Sequence, residues 1–230
     1  TANASSSIVK VLVEKNIFEE YHIQEDRVNF DKNKTDNQLD LSQAQQTAFD
    51  EIEKSFLEKD VCLLHGVTSS GKTEIYTKLI EYYIKEGKQV LYLLPEIALT
   101  TQLVSRLTQY FGNKVAVFHS KYNNNERVEV WQNVLQNSEK AQIVIGARSA
   151  LFLPFSNLGL IIVDEEHEAT FKQYDPAPRY HARDSAIVLA NSHQAKVLLG
   201  SATPSIETYY NATSGKFGLV TLTERFGNVQ

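Results

Sequence analysis

Gly66-Val67-Thr68-Ser69-Ser70-Gly71-Lys72-Thr73 is the stretch whose reading decides the fold. It matches G-x-x-x-x-G-K-[ST], a phosphate-cradling loop when a strand precedes it and a helix follows. Val61-Cys62-Leu63-Leu64-His65 is a short apolar run, as expected of a strand buried in a parallel sheet. From Glu74 to Lys85, Ile75, Leu79, Tyr82 and Tyr83 recur at helical spacing, and Gly87 marks the stop. Gly66 and Gly71 accept backbone angles that other residues resist, so the N–H groups around Thr68, Ser69 and Ser70 can converge on one anion. The helix start adds its positive dipole end. Lys72 then meets the β- and γ-phosphates, and Thr73 offers its hydroxyl to Mg²⁺. The stretch points to a nucleoside triphosphate.

Outward from this loop, apolar strands and helical patterns alternate. Strands are expected at 89–94, 114–118, 142–145, 158–163, 195–199 and 219–222, and helices at 97–111, 125–135, 182–191 and 205–213. Such alternation implies right-handed βαβ crossovers and a mostly parallel, doubly wound α/β sheet. Ligands on such sheets sit beyond the strand C-terminal ends. Before the loop, Leu41 to about Lys59 reads as a helix carrying Gln45, whose amide suits an adenine edge. Residues 31–40 are polar and aperiodic, the pattern of a linker. Residues 1–30 read as a short helix and a hairpin with too little core to stand alone.

Bulk properties set bounds on this reading. The 230 residues allow one generous domain or a domain plus a fragment. Hydrophobic residues make up 42% and charged residues 22%, ordinary for a globular protein. A net charge of −5 argues against polybasic nucleic-acid binding, while leaving room for a local basic or aromatic groove. The single cysteine, Cys62, permits no internal disulfide and no cysteine-rich zinc site, which favours a reducing cytoplasm. No apolar run approaches a membrane span.

Two further motifs carry chemistry. Leu160-Ile161-Ile162-Val163 runs into Asp164-Glu165-Glu166-His167, a strand ending in the carboxylate that holds Mg²⁺ opposite the threonine hydroxyl. Glu165 beside it is placed to polarise an attacking water as general base. Gly200-Ser201-Ala202-Thr203-Pro204-Ser205 follows another strand, and its Ser201 and Thr203 hydroxyls are suited to relay between loops. Lys72, Asp164 and Glu165 are the candidate catalytic set.

These motifs, in this order on one domain, resemble the superfamily 2 DExH helicases. The stretches 94–100, 118–120, 146–152, 166–167 and 180–184 narrow the resemblance to the bacterial primosomal replication-restart helicases. The resemblance covers about residues 41–230, and residues 4–30 are more weakly similar to the tail of the winged-helix domain preceding that helicase. It implies a RecA-like lobe in which Gln45 reads adenine, Pro95, Arg148 and Ser149 track single-stranded DNA, and His167 ties the nucleotide site to the Gly200–Ser205 stretch.

The segment after the acidic motif interleaves Phe171, Lys172, Gln173, Tyr174, Arg179, Tyr180, His181 and Arg183 with Pro176 and Pro178. Aromatic and basic residues so mixed offer base stacking with phosphate pairing. The stretch resembles the aromatic-rich loop that couples DNA binding to ATP hydrolysis in related helicases. The resemblance implies ATP and Mg²⁺ as cofactors, single-stranded and forked DNA as partners, replication-restart (primosome) proteins and single-stranded DNA-binding protein beside them, and a cytoplasmic, nucleoid-associated location. The second RecA-like lobe, its arginine fingers and its zinc module would lie beyond Gln230, so no zinc is expected in this chain and little hydrolysis from it alone. A nucleotide-gated DNA-structure sensor is the alternative, whereas a small-molecule kinase explains neither the Gly200–Ser205 motif nor the aromatic loop.

Overall fold

The computed structural model describes residues 40–98, 101–119 and 124–224. The expected helix and hairpin of residues 1–30 and most of the linker lie outside them. Helix α1 (Gln43–Glu58) precedes strand β1 (Val61–Gly66), and α2 (Lys72–Lys85) leads to β2 (Gln89–Leu93). Then come α3 (Thr101–Phe111), β3 (Val115–Phe118), α4 (Asn124–Leu135), β4 (Ile143–Gly146) and β5 (Leu158–Asp164). Helix α5 (Ala182–His193), β6 (Lys196–Ser201), α6 (Ile206–Thr213) and β7 (Gly218–Leu222) complete the order. The strands form one seven-stranded sheet, β3-β4-β2-β5-β6-β1-β7. Every pairing is parallel.

Period-two alternation divides the sheet into two apolar faces. Cys62, Leu64, Val90, Tyr92, Leu160 and Ile162 pack with Phe49 and Ile52 of α1, Ile75 and Leu79 of α2 and Leu107 of α3. Leu63, Leu91, Val144, Ile161, Val163 and Leu199 face Val134 of α4, Ala186 and Ala190 of α5 and Ala212 of α6. Because both faces are covered, the strands read as continuous apolar runs rather than alternating ones.

Two local readings change. A single helix over 97–111 is expected, but a 3₁₀ turn at Glu96–Ala98 precedes α3. In α2 the buried residues are Ile75, Tyr76, Thr77, Leu79, Ile80 and Ile84, while Tyr82 is exposed. The tyrosine that matters there is Tyr76, one position off the stripe chosen from the sequence. No helix among the described residues is long and apolar enough to cross a membrane.

Candidate nucleotide site and its coupling network

The loop from β1 to α2 is shaped by two left-handed residues, Ser69 (φ 61°) and Gly71 (φ 81°). Gly71 caps α2 and is hemmed in, since a Cβ there would collide with Gln45 Nε2. Lys72 Nζ donates to Gly66 O at 3.0 Å, within the loop it serves. Thr68 and Ser69 are exposed and Thr73 is half-buried. Ser70 is 2% exposed, and its Oγ has no hydrogen-bond partner among the described residues. A hydroxyl left unpaired in a cradle of N–H groups, beside a lysine and a helix start, fits an incoming phosphate.

Gln45 is held by partners within the protein. It is 1% exposed, its Oε1 accepts from Ser42 N at 2.8 Å, and its Nε2 donates to Gly71 O at 3.3 Å. Together with Ser42 it closes a capping box at the start of α1. Its amide therefore braces the phosphate loop from beneath.

Asp164, at the end of β5, is gripped from three directions. Tyr76 Oη donates to Oδ1 at 3.0 Å, Tyr92 Oη donates to Oδ2 at 3.3 Å, and Glu165 N donates to Oδ1 at 3.1 Å. Burial, and then the charge of Glu165, push its carboxyl up to about 6, against the pull of Lys72 and the Tyr76 bond. A carboxylate kept poorly solvated and facing another carboxylate fits a divalent cation, which relieves both penalties. Thr73 and Asp164 are the residues that would hold Mg²⁺.

Glu165 adopts φ 49°, the left-handed region, which costs a non-glycine residue roughly 1–3 kcal/mol when the surroundings enforce it. That turn points Glu165 and His167 toward β6. His167 Nδ1 lies 2.8 Å from Ser201 Oγ and 3.6 Å from Glu165 Oε2, and its Nε2 lies 3.3 Å from Thr203 Oγ1. Thr203 N donates to Ser201 Oγ at 3.0 Å, so this one hydroxyl meets both the imidazole and the Thr203 backbone. Glu165, His167, Ser201 and Thr203 thus form one continuous polar chain between two loops.

The aromatic segment is a small hairpin. Lys172 bridges His181 in antiparallel fashion, and Gln173 N donates to Tyr180 O at 2.9 Å. Arg148 Nη1 clasps its base, donating to Thr170 O at 3.2 Å and Lys172 O at 3.1 Å. Tyr174 is 66% exposed and Arg179 is also exposed, while half-buried Tyr180 meets the exposed Phe152 edge-on at 5.2 Å. Phe171 corrects the expectation. It is 1% exposed and belongs to the core, because the turn at Ala169–Phe171 drives its ring inward beneath the hairpin. No base can stack on it. Pro95 is buried and, with Leu94, Glu96, Ala147, Arg148 and Phe171, lines a cavity of about 230 Å³. Ser149 sits half-buried in the 3₁₀ turn of Arg148–Phe152.

Arg183, expected among the basic residues of the aromatic segment, is 9% exposed and turned inward onto Glu166, and Tyr76, Tyr92, Glu166, Ser205 and Thr208 were given no role from the sequence. The tyrosines look like core aromatics, and Glu166 looks like a solvated acid in an acidic run. Glu166 is instead 0% exposed.

A model of the DEAD/DEAH box helicases matches residues 42–212. The chain is 42% identical over 228 residues to the replication restart protein PriA of Bacillus subtilis, covering 97% of this chain and 28% of that protein. It is 45% identical to the PriA of Haemophilus influenzae over 97% of this chain and 31% of that one. The chain thus spans under a third of the length of these relatives. A solved RecG bound to a three-way DNA junction superposes with TM-score 0.60 at 20% identity, over 98% of this chain and 27% of that one. The helicase MrfA bound to DNA gives 0.58 at 19% identity, over 80% of this chain and 27% of its own. At such identities the two structures speak to the fold alone. With its phosphate loop, acidic strand end and Ser201–Thr203 link on one parallel sheet, the chain belongs to the DEAD/DEAH box helicase family.

Proposed function

We propose that this chain is the ATP-binding RecA-like lobe of a replication-restart DNA helicase that moves 3′-to-5′ on single-stranded DNA, reopens stalled forks and helps assemble a primosome. One observation carries the reading: the unbroken contacts from Asp164 and Glu165 through His167 to Ser201 and Thr203. Those contacts give a nucleotide-dependent shift at the acidic loop a route across the sheet edge on which the aromatic hairpin also sits.

In this reading the Gly66–Thr73 loop takes the phosphates, with Lys72 as their cation. Bound Mg²⁺ supplies charge neutralisation and Lewis acidity at the phosphates. Glu165 orients the attacking water and accepts its proton. Gln45 meets adenine by exchanging its bond to Gly71 O for the base. Lys172, Tyr174, Arg179 and Tyr180, with Arg148 and Ser149, engage the single strand, and buried Pro95 supports the loop beside Arg148. The transition-state cation and a zinc module belong to further parts of the protein, and residues 1–30 to the end of a winged-helix domain. The protein partners are other restart proteins and single-stranded DNA-binding protein, and the site of action is the nucleoid.

The test is ATP hydrolysis and strand displacement by the complete protein on forked DNA. Turnover stimulated by single-stranded DNA, with displacement of a duplex downstream, is expected. Hydrolysis that merely releases bound DNA without separating strands would replace this reading with that of a DNA-structure sensor.

A further inference from the structure

Glu166 is a charge buried in a place where nothing in the nucleotide chemistry needs one. Its Oε1 accepts from Ser205 N at 2.7 Å. Its Oε2 accepts from Thr208 Oγ1 at 2.8 Å and from Arg183 Nη1 at 3.1 Å, and lies 3.2 Å from Ser205 Oγ. Arg183 Nη1 also donates to Ser205 Oγ at 2.6 Å, and its Nε donates to Asp184 Oδ1 at 2.8 Å. The backbone joins in, since Glu166 N donates to Gly200 O at 3.1 Å.

Three elements converge on this one carboxylate. Glu166 lies between Glu165 and His167 in the acidic loop. Ser205 and Thr208 form the capped start of α6, directly after Thr203. Arg183 stands in the first turn of α5, two residues after His181 closes the aromatic hairpin. A lone buried carboxylate is expensive, and a buried ion pair confers little net stability over an apolar pair of equal volume. What such a pair does confer is direction, because each donor fixes one orientation of its own element.

We propose that Glu166 is a positioning residue whose buried clasp on Arg183, Ser205 and Thr208 locks the acidic loop, the base of the aromatic hairpin and the Ser201–Thr203 loop into one rigid unit, and so sets how strongly DNA accelerates ATP hydrolysis. It touches neither nucleotide nor DNA. It acts through Glu165 and His167 on one side and through His181 on the other. The proposal rests on the helicase reading above and adds to it a route for coupling that does not pass through the exposed rings.

The experiment uses the complete protein. Glu166→Gln, Thr208→Val and the double variant Glu166→Leu with Arg183→Met are compared for melting temperature, for KM of ATP, and for kcat with and without single-stranded DNA. Glu166→Gln turns a donor toward the Thr208 and Arg183 donors, and DNA stimulation is expected to fall about tenfold or more with KM for ATP within about twofold. Thr208→Val keeps shape and loses one donor, so it provides a folded variant even if the others fail to fold, and about a threefold loss of stimulation is expected. The apolar double variant removes both charges and is expected to recover melting temperature while stimulation stays low.

Recovery of stimulation together with melting temperature in the double variant would overturn the proposal, since the clasp would then be structural only. Full stimulation in folded Thr208→Val or Glu166→Gln would overturn it equally. Absence of DNA stimulation in the unaltered protein would instead sink the helicase reading, so the two failures are distinguishable.

Discussion

The Tyr76 hydroxyl donates to Asp164 Oδ1 at 3.0 Å, and Tyr76 Oη fills the space that a side chain on Gly200 would occupy. One side chain of the phosphate-loop helix thereby meets the carboxylate proposed to hold Mg²⁺ and the first residue of the Gly200–Ser205 stretch. The absence of a side chain at position 200 is what makes room for it. Tyr76→Phe is expected to lower metal affinity or hydrolysis about 10–100-fold, as removal of an orienting hydrogen bond does at metal sites. Gly200→Ala is expected to destabilise the fold by about 1–3 kcal/mol through overpacking. The double variant should regain only part of that, because the ring carbon Cζ would still lie 2.9 Å from the added Cβ. A thermal melt of the single variants and the pair checks the coupling, and strict additivity would disprove the contact.

Lys72 is the cation of the phosphate loop, and Lys72→Ala is expected to remove most affinity for ADP with Mg²⁺ while leaving the fold intact. The lysine's one described hydrogen bond is to Gly66 O, within the loop itself. Calorimetry on unaltered and altered protein decides the matter. Equal affinities would show that the phosphates bind elsewhere.

Phe171 and Tyr174 are expected to separate cleanly. Phe171→Ala opens a cavity in the core and should cost about 3–5 kcal/mol of stability. Tyr174→Ala touches an exposed ring and should leave the melting temperature unchanged, while weakening single-strand binding by about 1–3 kcal/mol. Fluorescence anisotropy with a single-stranded oligonucleotide, run beside the melts, reads both effects. Unchanged DNA affinity in a folded Tyr174→Ala would take the ring out of the interface.

Asp164 makes stability depend on pH in a stated direction. Its folded carboxyl titrates at about 6, above its unfolded value near 3.9. The folded state therefore holds this proton more tightly, and ionisation destabilises the fold progressively as pH rises from about 4 through about 6. Without Mg²⁺, Asp164→Asn is expected to stabilise the protein at pH 8 by ~1–3 kcal/mol, with the gain gone near pH 4. Mg²⁺ must displace the same proton, so Mg²⁺ binding should weaken as pH falls below about 6. An Asp164→Asn effect on melting temperature that is equal at both pH values would point to a cause other than charge.

Much of this protein is legible in one dimension because its signals are local. The strand, turn and helix around Gly66–Thr73, the apolar runs ending in Asp164 and Ser201, and the alternation of period two with helical period follow from residues adjacent in the chain. Backbone pairing and burial of both sheet faces turn such runs into an all-parallel sheet, and its topology brings every loop of interest to one edge. For that reason Lys72, Asp164, Glu165 and the Ser201 and Thr203 hydroxyls can be placed on that edge from the sequence.

Side-chain burial was decided only by the tertiary fold. Phe171 and Tyr174 stand three positions apart in one aromatic run, yet the turn at Ala169–Phe171 sends one ring into the core and leaves the other in solvent. Gln45 satisfies both amide atoms on Ser42 and on Gly71, a residue 26 positions away. Glu166 looks like its acidic neighbours in sequence. It becomes a buried hub only because Arg183, Ser205 and Thr208 arrive from α5 and α6 to neutralise it. A charge is stable out of water only where partners surround it, and partners that meet solely through the fold leave no mark in the local sequence.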